Sequence, residues 1–181
     1  MAKNEVRIIG GKWGGRKLKF PDVQGLRPSQ DRARETLFNW LAPWTDSARV
    51  LDLFAGSGVL GFEAISRGAA TADLVDISKA TVTALEHSKA MLGASNAHVF
   101  RRNAIKHLQS NQAPYDLIFI DPPFNKNLAK PALEAIIEHQ LLTQDGLIYL
   151  EQARRTDLPS GFSIYRDKTF GDSRALLLEP Q

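Results

Sequence analysis

From Arg49 onward, short apolar runs alternate with stretches whose apolar residues recur every three or four positions. The runs at 49–54 (RVLDLF), 72–76 (ADLVD), 97–101 (AHVFR), 115–120 (YDLIFI) and 146–150 (GLIYL) predict strands. The stretches near 58–68, 78–92, 104–110 and 127–140 predict the helices between them. Strands interleaved with helices imply a parallel sheet covered on both faces. The near-continuous apolar character of the runs fits strands buried on both sides. Residues 162–169 and 173–179 predict two more strands around Gly171-Asp172, a terminal hairpin that adds one antiparallel strand to the sheet. Ahead of this body, residues 6–9 and 16–20 predict two short strands around a glycine-rich turn, and residues 29–42 predict a helix. Pro28-Ser29 marks the start of that helix, and Ala33, Leu37, Trp40 and Leu41 recur at helical spacing. The expected organisation is therefore a hairpin-and-helix extension over residues 1–42 and an α/β body over residues 43–181.

Composition sharpens this picture mainly by exclusion. A chain of 181 residues suits one domain with a small appendage. It contains no cysteine, which excludes disulfides, thiolate metal sites and cysteine-nucleophile chemistry. His87, His98, His107 and His139 show no metal-ligand spacing, so no metal is expected. The first residues carry no apolar signal core and no 18-residue apolar run occurs, so a cytoplasmic protein with no membrane partner is expected, working as a monomer. The net charge of +3 is unevenly spread. Residues 1–40 hold nine Lys or Arg against four acids, whereas the rest holds 14 against 16. Positive charge at the front suggests a polyanionic partner.

Two segments carry the candidate chemistry. The first, Asp52-Leu53-Phe54-Ala55-Gly56-Ser57-Gly58-Val59-Leu60-Gly61, follows a predicted strand and opens a predicted helix. Glycines there allow a tight turn and close backbone approach to a ligand, with helix N–H groups facing it. Gly56, Gly58 and Gly61 satisfy the dinucleotide pattern literally. Asp52 argues for a different ligand, because a carboxylate at the strand end repels a pyrophosphate but accepts an ammonium. S-adenosylmethionine carries an ammonium, a sulfonium and no phosphate. Asp76 ends the second strand, where an acid receives ribose hydroxyls. Asn103, which ends the third strand, is placed to meet the adenine edge. The plainer alternative for Asp52, Asp76 and Asn103 is a turn or helix-capping role.

The second segment is Asp121-Pro122-Pro123-Phe124, directly after the strand 115–120. Two prolines fix an extended backbone and remove N–H donors. A row of acceptors remains, the Asp121 carboxylate and a main-chain carbonyl, with an aromatic ring beside it. That arrangement suits the exocyclic amine of a nucleobase. Two acceptors hold its hydrogens and turn its lone pair toward a methyl donor, while Phe124 stacks on the base. The plainer alternative is a strand-ending turn.

DLFAGSG and DPPF together resemble the class I S-adenosylmethionine-dependent methyltransferases, the second motif matching that of the amino-group enzymes. The front of the chain extends the resemblance. Arg7-Ile8-Ile9-Gly10-Gly11-x-x-Gly14-Gly15-Arg16-x-Leu18 is similar to the bacterial 16S rRNA (guanine-N2)-methyltransferase family named for guanine 966. So is Arg27-Pro28-Ser29-x-Asp31-Arg32-x-Arg34-Glu35-x-Leu37-Phe38-Asn39-Trp40-Leu41. The resemblance runs from Val6 to about Leu178. It implies a Rossmann-like, mostly parallel seven-stranded sheet with an antiparallel last strand. It also implies methylation of a guanine N2 amine in 16S rRNA, within an assembling small ribosomal subunit. By carry-over, Asp121, Pro122 and Phe124 hold the guanine, and Asp52, Gly56, Gly58, Asp76, Asn103 and Ala104 line the cofactor site.

On that reading Arg7, Lys12, Arg16, Arg27, Arg32 and Arg34 are candidates for RNA contact, and Trp13 for stacking on an unpaired base. The alternative is a solvated basic face with Trp13 packed on the core. Two rival functions stand beside the main one. One is another amino-group methyltransferase, acting on DNA adenine or protein glutamine; the other is a non-catalytic RNA-binding assembly factor.

Overall fold

The alternating runs form one after another along the chain. A computed structural model describes residues 4–21, 29–110, 113–123, 126–157 and 160–181. The front contains β1 (Glu5–Arg7), a 3₁₀ turn over Gly11–Trp13, β2 (Lys17–Lys19), α1 (Ser29–Trp40) and α2 (Ala42–Thr45). The body follows as β3 (Arg49–Asp52), α3 (Val59–Ser66), β4 (Thr71–Asp76), α4 (Lys79–Leu92) and β5 (Ala97–Arg101). It continues with α5 (Ala104–Leu108), β6 (Tyr115–Ile120), α6 (Ala129–Glu138), β7 (Leu142–Ala153), β8 (Phe162–Phe170) and β9 (Ser173–Pro180).

Seven strands form one sheet in the order β5-β4-β3-β6-β7-β9-β8, and β1 and β2 form a separate antiparallel pair. The pairs among β3 to β7 are parallel, and β9 runs antiparallel to both β7 and β8. The expected Rossmann-like sheet with its antiparallel last strand is thus present. Strand order reverses direction at β3, where β4 and β6 flank it on opposite sides. Ligands of open α/β sheets bind at such a point, outside the carboxyl ends of the strands.

Two predicted boundaries differ. The helix expected over 29–42 breaks at Leu41, because Pro43 lacks the N–H to continue it and instead sits in the first turn of α2. Strand β7 starts at Leu142 rather than at 146. The ladder shifts along Thr143-Gln144-Asp145-Gly146: Tyr115 pairs with Leu142, but Leu117 pairs with Leu147. The irregular stretch is carried within the strand as a bulge.

The two sheet faces bury separate clusters. One joins Leu51, Ile118, Ile120, Ile148 and Leu176 to α5 and α6. The other joins Val50, Leu117, Phe119, Tyr149 and Leu177 to α1, α3 and the front hairpin. Ile8 and Leu18 of that hairpin are fully buried, and each such side chain stabilises the fold by about 1.5–3 kcal/mol. The hairpin is docked by α3. The buried Glu63 carboxylate accepts the Ile9 N–H at 2.7 Å, the Gly10 N–H at 2.8 Å and the Arg67 Nε–H at 2.8 Å. Ser66 Oγ donates to the Gly10 carbonyl at 2.6 Å and accepts the Trp13 N–H at 2.9 Å. Gly11 has φ +73°, and a Cβ there would sit 1.9 Å from the Ser66 carbonyl oxygen, so only glycine fits.

This docking corrects two expectations. Trp13, a candidate platform for an unpaired base, is 7% exposed and belongs to the core cluster, with Lys12 Nζ lying 4.4 Å from its ring centroid. Arg34, a candidate for RNA contact, is 5% exposed. Its guanidinium donates to the Arg7 carbonyl at 2.6 Å and to Asp31 at 3.0 Å, and lies 3.9 Å from Glu63. Both residues face inward because the hairpin needs an apolar and a charged anchor against α3.

Candidate active site at the carboxyl edge of the sheet

Strand β3 ends at Asp52, and Leu53 still donates its N–H to the Phe119 carbonyl at 3.1 Å, holding the chain against β6 as it leaves the sheet. The next turn passes through Gly56 (φ +52°) and Gly58 (φ +75°), both in left-handed backbone. A Cβ on Gly58 would lie 2.5 Å from Leu85 and 2.8 Å from Phe62, so that turn also needs glycine for space. At Gly56 the nearest atom to a Cβ is the Phe54 carbonyl oxygen at 4.0 Å, which leaves the surface of the loop open toward a ligand. Gly61 lets α3 approach closely: a Cβ there would lie 2.2 Å from Leu74 and 3.5 Å from Asp52.

Asp52 is 2% exposed and accepts the Gly61 N–H at 3.1 Å. Burial pushes its pKa up to about 7; the Gly61 hydrogen bond opposes this shift and the neighbouring Asp76 adds to it. Among the described residues no Lys or Arg forms an ion pair with it. A buried carboxylate in that state fits the ammonium of an amino-acid cofactor. Asp76 at the end of β4 accepts the Gly56 N–H at 3.2 Å and the Ser78 N–H at 2.8 Å, one on each oxygen. Its turn-building role is therefore real, and each oxygen keeps a second lone pair for a hydroxyl. Asn103 caps α5 by accepting the Lys106 N–H at 3.1 Å. Its side chain remains exposed, with Ala104 half-buried next to it. Ile77, directly after Asp76, is 66% exposed, a large apolar side chain left open at this edge of the sheet. That residue was not picked out from the sequence.

Asp121 follows the last residue of β6, with Pro122 buried and Pro123 exposed. Burial pushes the Asp121 pKa well above the carboxylate range, and the negative charges of Glu151 and Asp52 push it further. Glu151 is a second residue missed in the sequence. The pairing of Ile120 with Leu150 puts Glu151 beside Asp121 across the parallel ladder. The buried Tyr149 donates its hydroxyl to Glu151 Oε2 at 3.0 Å, and burial, then Glu151, hold the Tyr149 hydroxyl well above its usual pKa. The signal was available: β3, β4, β6 and β7 all run into an acid at the same end, as VLD, LVD, FID and YLE. The sheet thus brings Asp52, Asp76, Asp121 and Glu151 to one edge, where an acidic rim favours a cationic ligand and a donor-rich base.

Phe124 and Arg27 lie outside the described residues. Arg7, Lys12, Arg16 and Arg32 are exposed on the front extension. Among the described residues no group of His, Asp and Glu is arranged to hold a metal ion, and no helix is long and apolar enough to cross a membrane.

Known proteins place this architecture. The family model described as Conserved hypothetical protein 95 matches residues 6–179. Ribosomal RNA small subunit methyltransferase D of Escherichia coli K12 is 44% identical over 170 residues, covering 92% of this chain and 86% of the relative. The protein of that name from Haemophilus influenzae is 41% identical, covering 94% and 91%. A solved structure of a putative methyltransferase, yhhF, from Escherichia coli superimposes with a TM-score of 0.89 at 42% identity, covering 98% of both chains. A ribosomal protein L11 methylase structure from Lactobacillus delbrueckii, at 22% identity and a TM-score of 0.68, covers 86% of this chain and 81% of its own and shares the fold. Matched along nearly its whole length by the family model and by these relatives, the chain belongs to the ribosomal RNA small subunit methyltransferase D family.

Proposed function

We propose that this chain is an S-adenosylmethionine-dependent methyltransferase that modifies the N2 amine of a guanine in 16S rRNA, of the guanine 966 type. The observation that carries the reading is the placement of Asp121-Pro122 at the end of β6, on the same edge as the glycine loop and Asp52. The names of the Escherichia coli and Haemophilus influenzae relatives supply the rRNA. When bound, S-adenosylmethionine supplies a methyl group on a sulfonium; its C–S bond breaks as the C–N bond forms, leaving the thioether. Asp52 holds the cofactor ammonium, Gly56 and Gly58 let the backbone approach it, and Asp76 accepts from the ribose. Asn103, Ala104 and Ile77 flank the adenine. Asp121 and the Pro122 carbonyl accept the amine hydrogens, and Phe124 stacks on the base. The guanine must leave its stack to reach this edge, as base-modifying enzymes require. The amine proton lost after transfer passes to a carboxylate of the rim or to water.

The exposed Arg7, Lys12, Arg16 and Arg32 are assigned to phosphate contact, and Arg27 belongs with them by sequence. The extension over residues 1–42 serves as the RNA-facing part and residues 43–181 as the catalytic body. The substrate is rRNA within an assembling small-subunit particle. The test is transfer of labelled methyl to small-subunit particles, DNA and protein by the native chain and by Asp121→Ala. Transfer to the particles is expected, with loss of about 100-fold or more in kcat for the variant and unchanged cofactor affinity. Transfer to DNA or protein alone, or full activity in Asp121→Ala, sinks the reading.

A further inference from the structure

Asp121 takes the amine of the base, and its neighbour Glu151 has no assigned contact with the base. Glu151 follows Leu150, the ladder partner of Ile120, and so lies across from Asp121; strand alternation puts it on the sheet face that also carries Phe119 and Tyr149. The Phe119 and Tyr149 rings meet edge to face, with centroids 6.2 Å apart. Packing therefore fixes the tyrosine, which is 3% exposed, and its hydroxyl fixes Glu151 Oε2 at 3.0 Å. No Lys or Arg among the described residues forms an ion pair with this carboxylate. Two adjacent carboxylates with no cation between them destabilise a fold, and the charge of Glu151 is one of the causes of the raised Asp121 pKa. A neutral side chain at this strand end would avoid that repulsion.

A donor-rich ligand explains the carboxylate pair. The Watson–Crick edge of guanine presents N1–H beside the N2 amine. Adenine and 2-aminopurine present an acceptor at N1, which a carboxylate repels. We propose that Glu151, held by Tyr149, accepts the N1–H of the target base while Asp121 and Pro122 take the amine, and so makes the pocket selective for guanine. This rests on the guanine-amine reading given above. Tyr149 is a positioning residue: it keeps one carboxylate oxygen occupied and aims the other.

The experiment uses small-subunit particles reconstituted with 16S rRNA that carries guanine or 2-aminopurine at the target position. 2-Aminopurine keeps the N2 amine but turns N1 from donor to acceptor. The native protein is expected to prefer guanine by about 100-fold or more in kcat/KM, as sites built around a donor reject analogues lacking it. In Glu151→Gln the amide can donate to N1, so the preference shrinks by about 10-fold or more, while cofactor affinity measured by calorimetry stays constant. Tyr149→Phe narrows the preference by a few fold. An unchanged preference in Glu151→Gln overturns the proposal, because a merely structural residue lowers both rates together. If Glu151→Gln does not fold, the preference in Tyr149→Phe decides by the same criterion. A native protein that treats both bases alike also overturns it. Failure to methylate guanine particles at all defeats the functional reading instead, and is recognised because no ratio can then be formed.

Discussion

Glu63 and Asp52 are both buried carboxylates, 0% and 2% exposed, yet the regions around them differ in kind. Beneath the front hairpin, Glu63 receives two backbone N–H groups and the Arg67 guanidinium, with Arg34 Nε at 3.9 Å. At the sheet edge, Asp52 receives one N–H, from Gly61, and faces Asp76. Burial is the same; partnership is not. A buried charge with a full set of donors clamps two elements together. One with too few donors is held ready for a ligand, and the protein tolerates the loss of stability that this brings.

The largest test of this contrast removes the satisfied carboxylate. Glu63→Ala leaves the Ile9 and Gly10 N–H groups and Arg67 without their acceptor. Breaking such a buried pair costs about 3–5 kcal/mol. For a chain of this size that lowers the thermal midpoint by roughly 10 °C. Thermal unfolding of the ligand-free protein measures it, and an unchanged midpoint would erase the distinction between the two sites.

Asp52→Asn is the opposite experiment. The amide keeps an acceptor for Gly61 but has no charge for an ammonium, so cofactor affinity should fall by about 100-fold, the scale for losing one partner of a desolvated charge pair. The pH dependence follows from the raised pKa. Folded Asp52 titrates near 7 and the unfolded side chain near its ordinary 3.8, so the folded state binds more protons between these values. The stability this gives is complete below pH 3.8 and is lost as pH rises through 7. Asp52→Asn should therefore raise the midpoint of the ligand-free protein at pH 8, by a free energy no greater than about 4 kcal/mol. Cofactor affinity runs the other way. It should weaken about tenfold per pH unit below 7 in the native protein, as the carboxylate protonates, and stay flatter in the variant. Calorimetric titrations from pH 5.5 to 8.5 check both slopes. A variant that binds the cofactor as tightly as the native chain removes the ammonium from Asp52.

The two regions also differ in how far the sequence announces them. The glycine loop and DPP are local devices: a left-handed turn needs Gly58, two prolines stiffen the edge after β6, and adjacent residues carry the message. Glu151 belongs to an ordinary strand pattern, LIYLEQA, and becomes interesting only through its register against β6. Trp13 and Arg34 mislead for the reverse reason. A tryptophan at a glycine turn and an arginine at a helix start have the composition of an RNA surface, and nothing local reveals that Ser66 and Glu63, more than 25 residues away in each case, draw them inward. Charge in a sequence shows where positive residues are, and the packing of α3 decides which of them reach solvent.

That decision sets the smallest and most selective test. Removing the whole front segment would strip Ile8, Leu18 and Phe20 from the core cluster that also holds Leu37 and Phe38, and would leave Glu63 without its N–H partners, so binding and folding would fail together. Single changes at Lys12 and Arg16 avoid this, because both side chains are exposed while the buried Arg34 is left in place. Lys12→Gln and Arg16→Gln should each weaken binding to small-subunit particles several-fold. Each should also reduce the slope of log affinity against log salt by about 0.7–1, the signature of one lost phosphate contact. Cofactor affinity should hold in both, and the thermal midpoint should hold in Arg16→Gln within about 0.5 kcal/mol, whereas Lys12→Gln also loses its contact with the Trp13 ring, worth about 0.5–1 kcal/mol. A salt slope that does not move in either variant would assign the front charges to solvent, and would leave the extension with the packing role that its inward residues already perform.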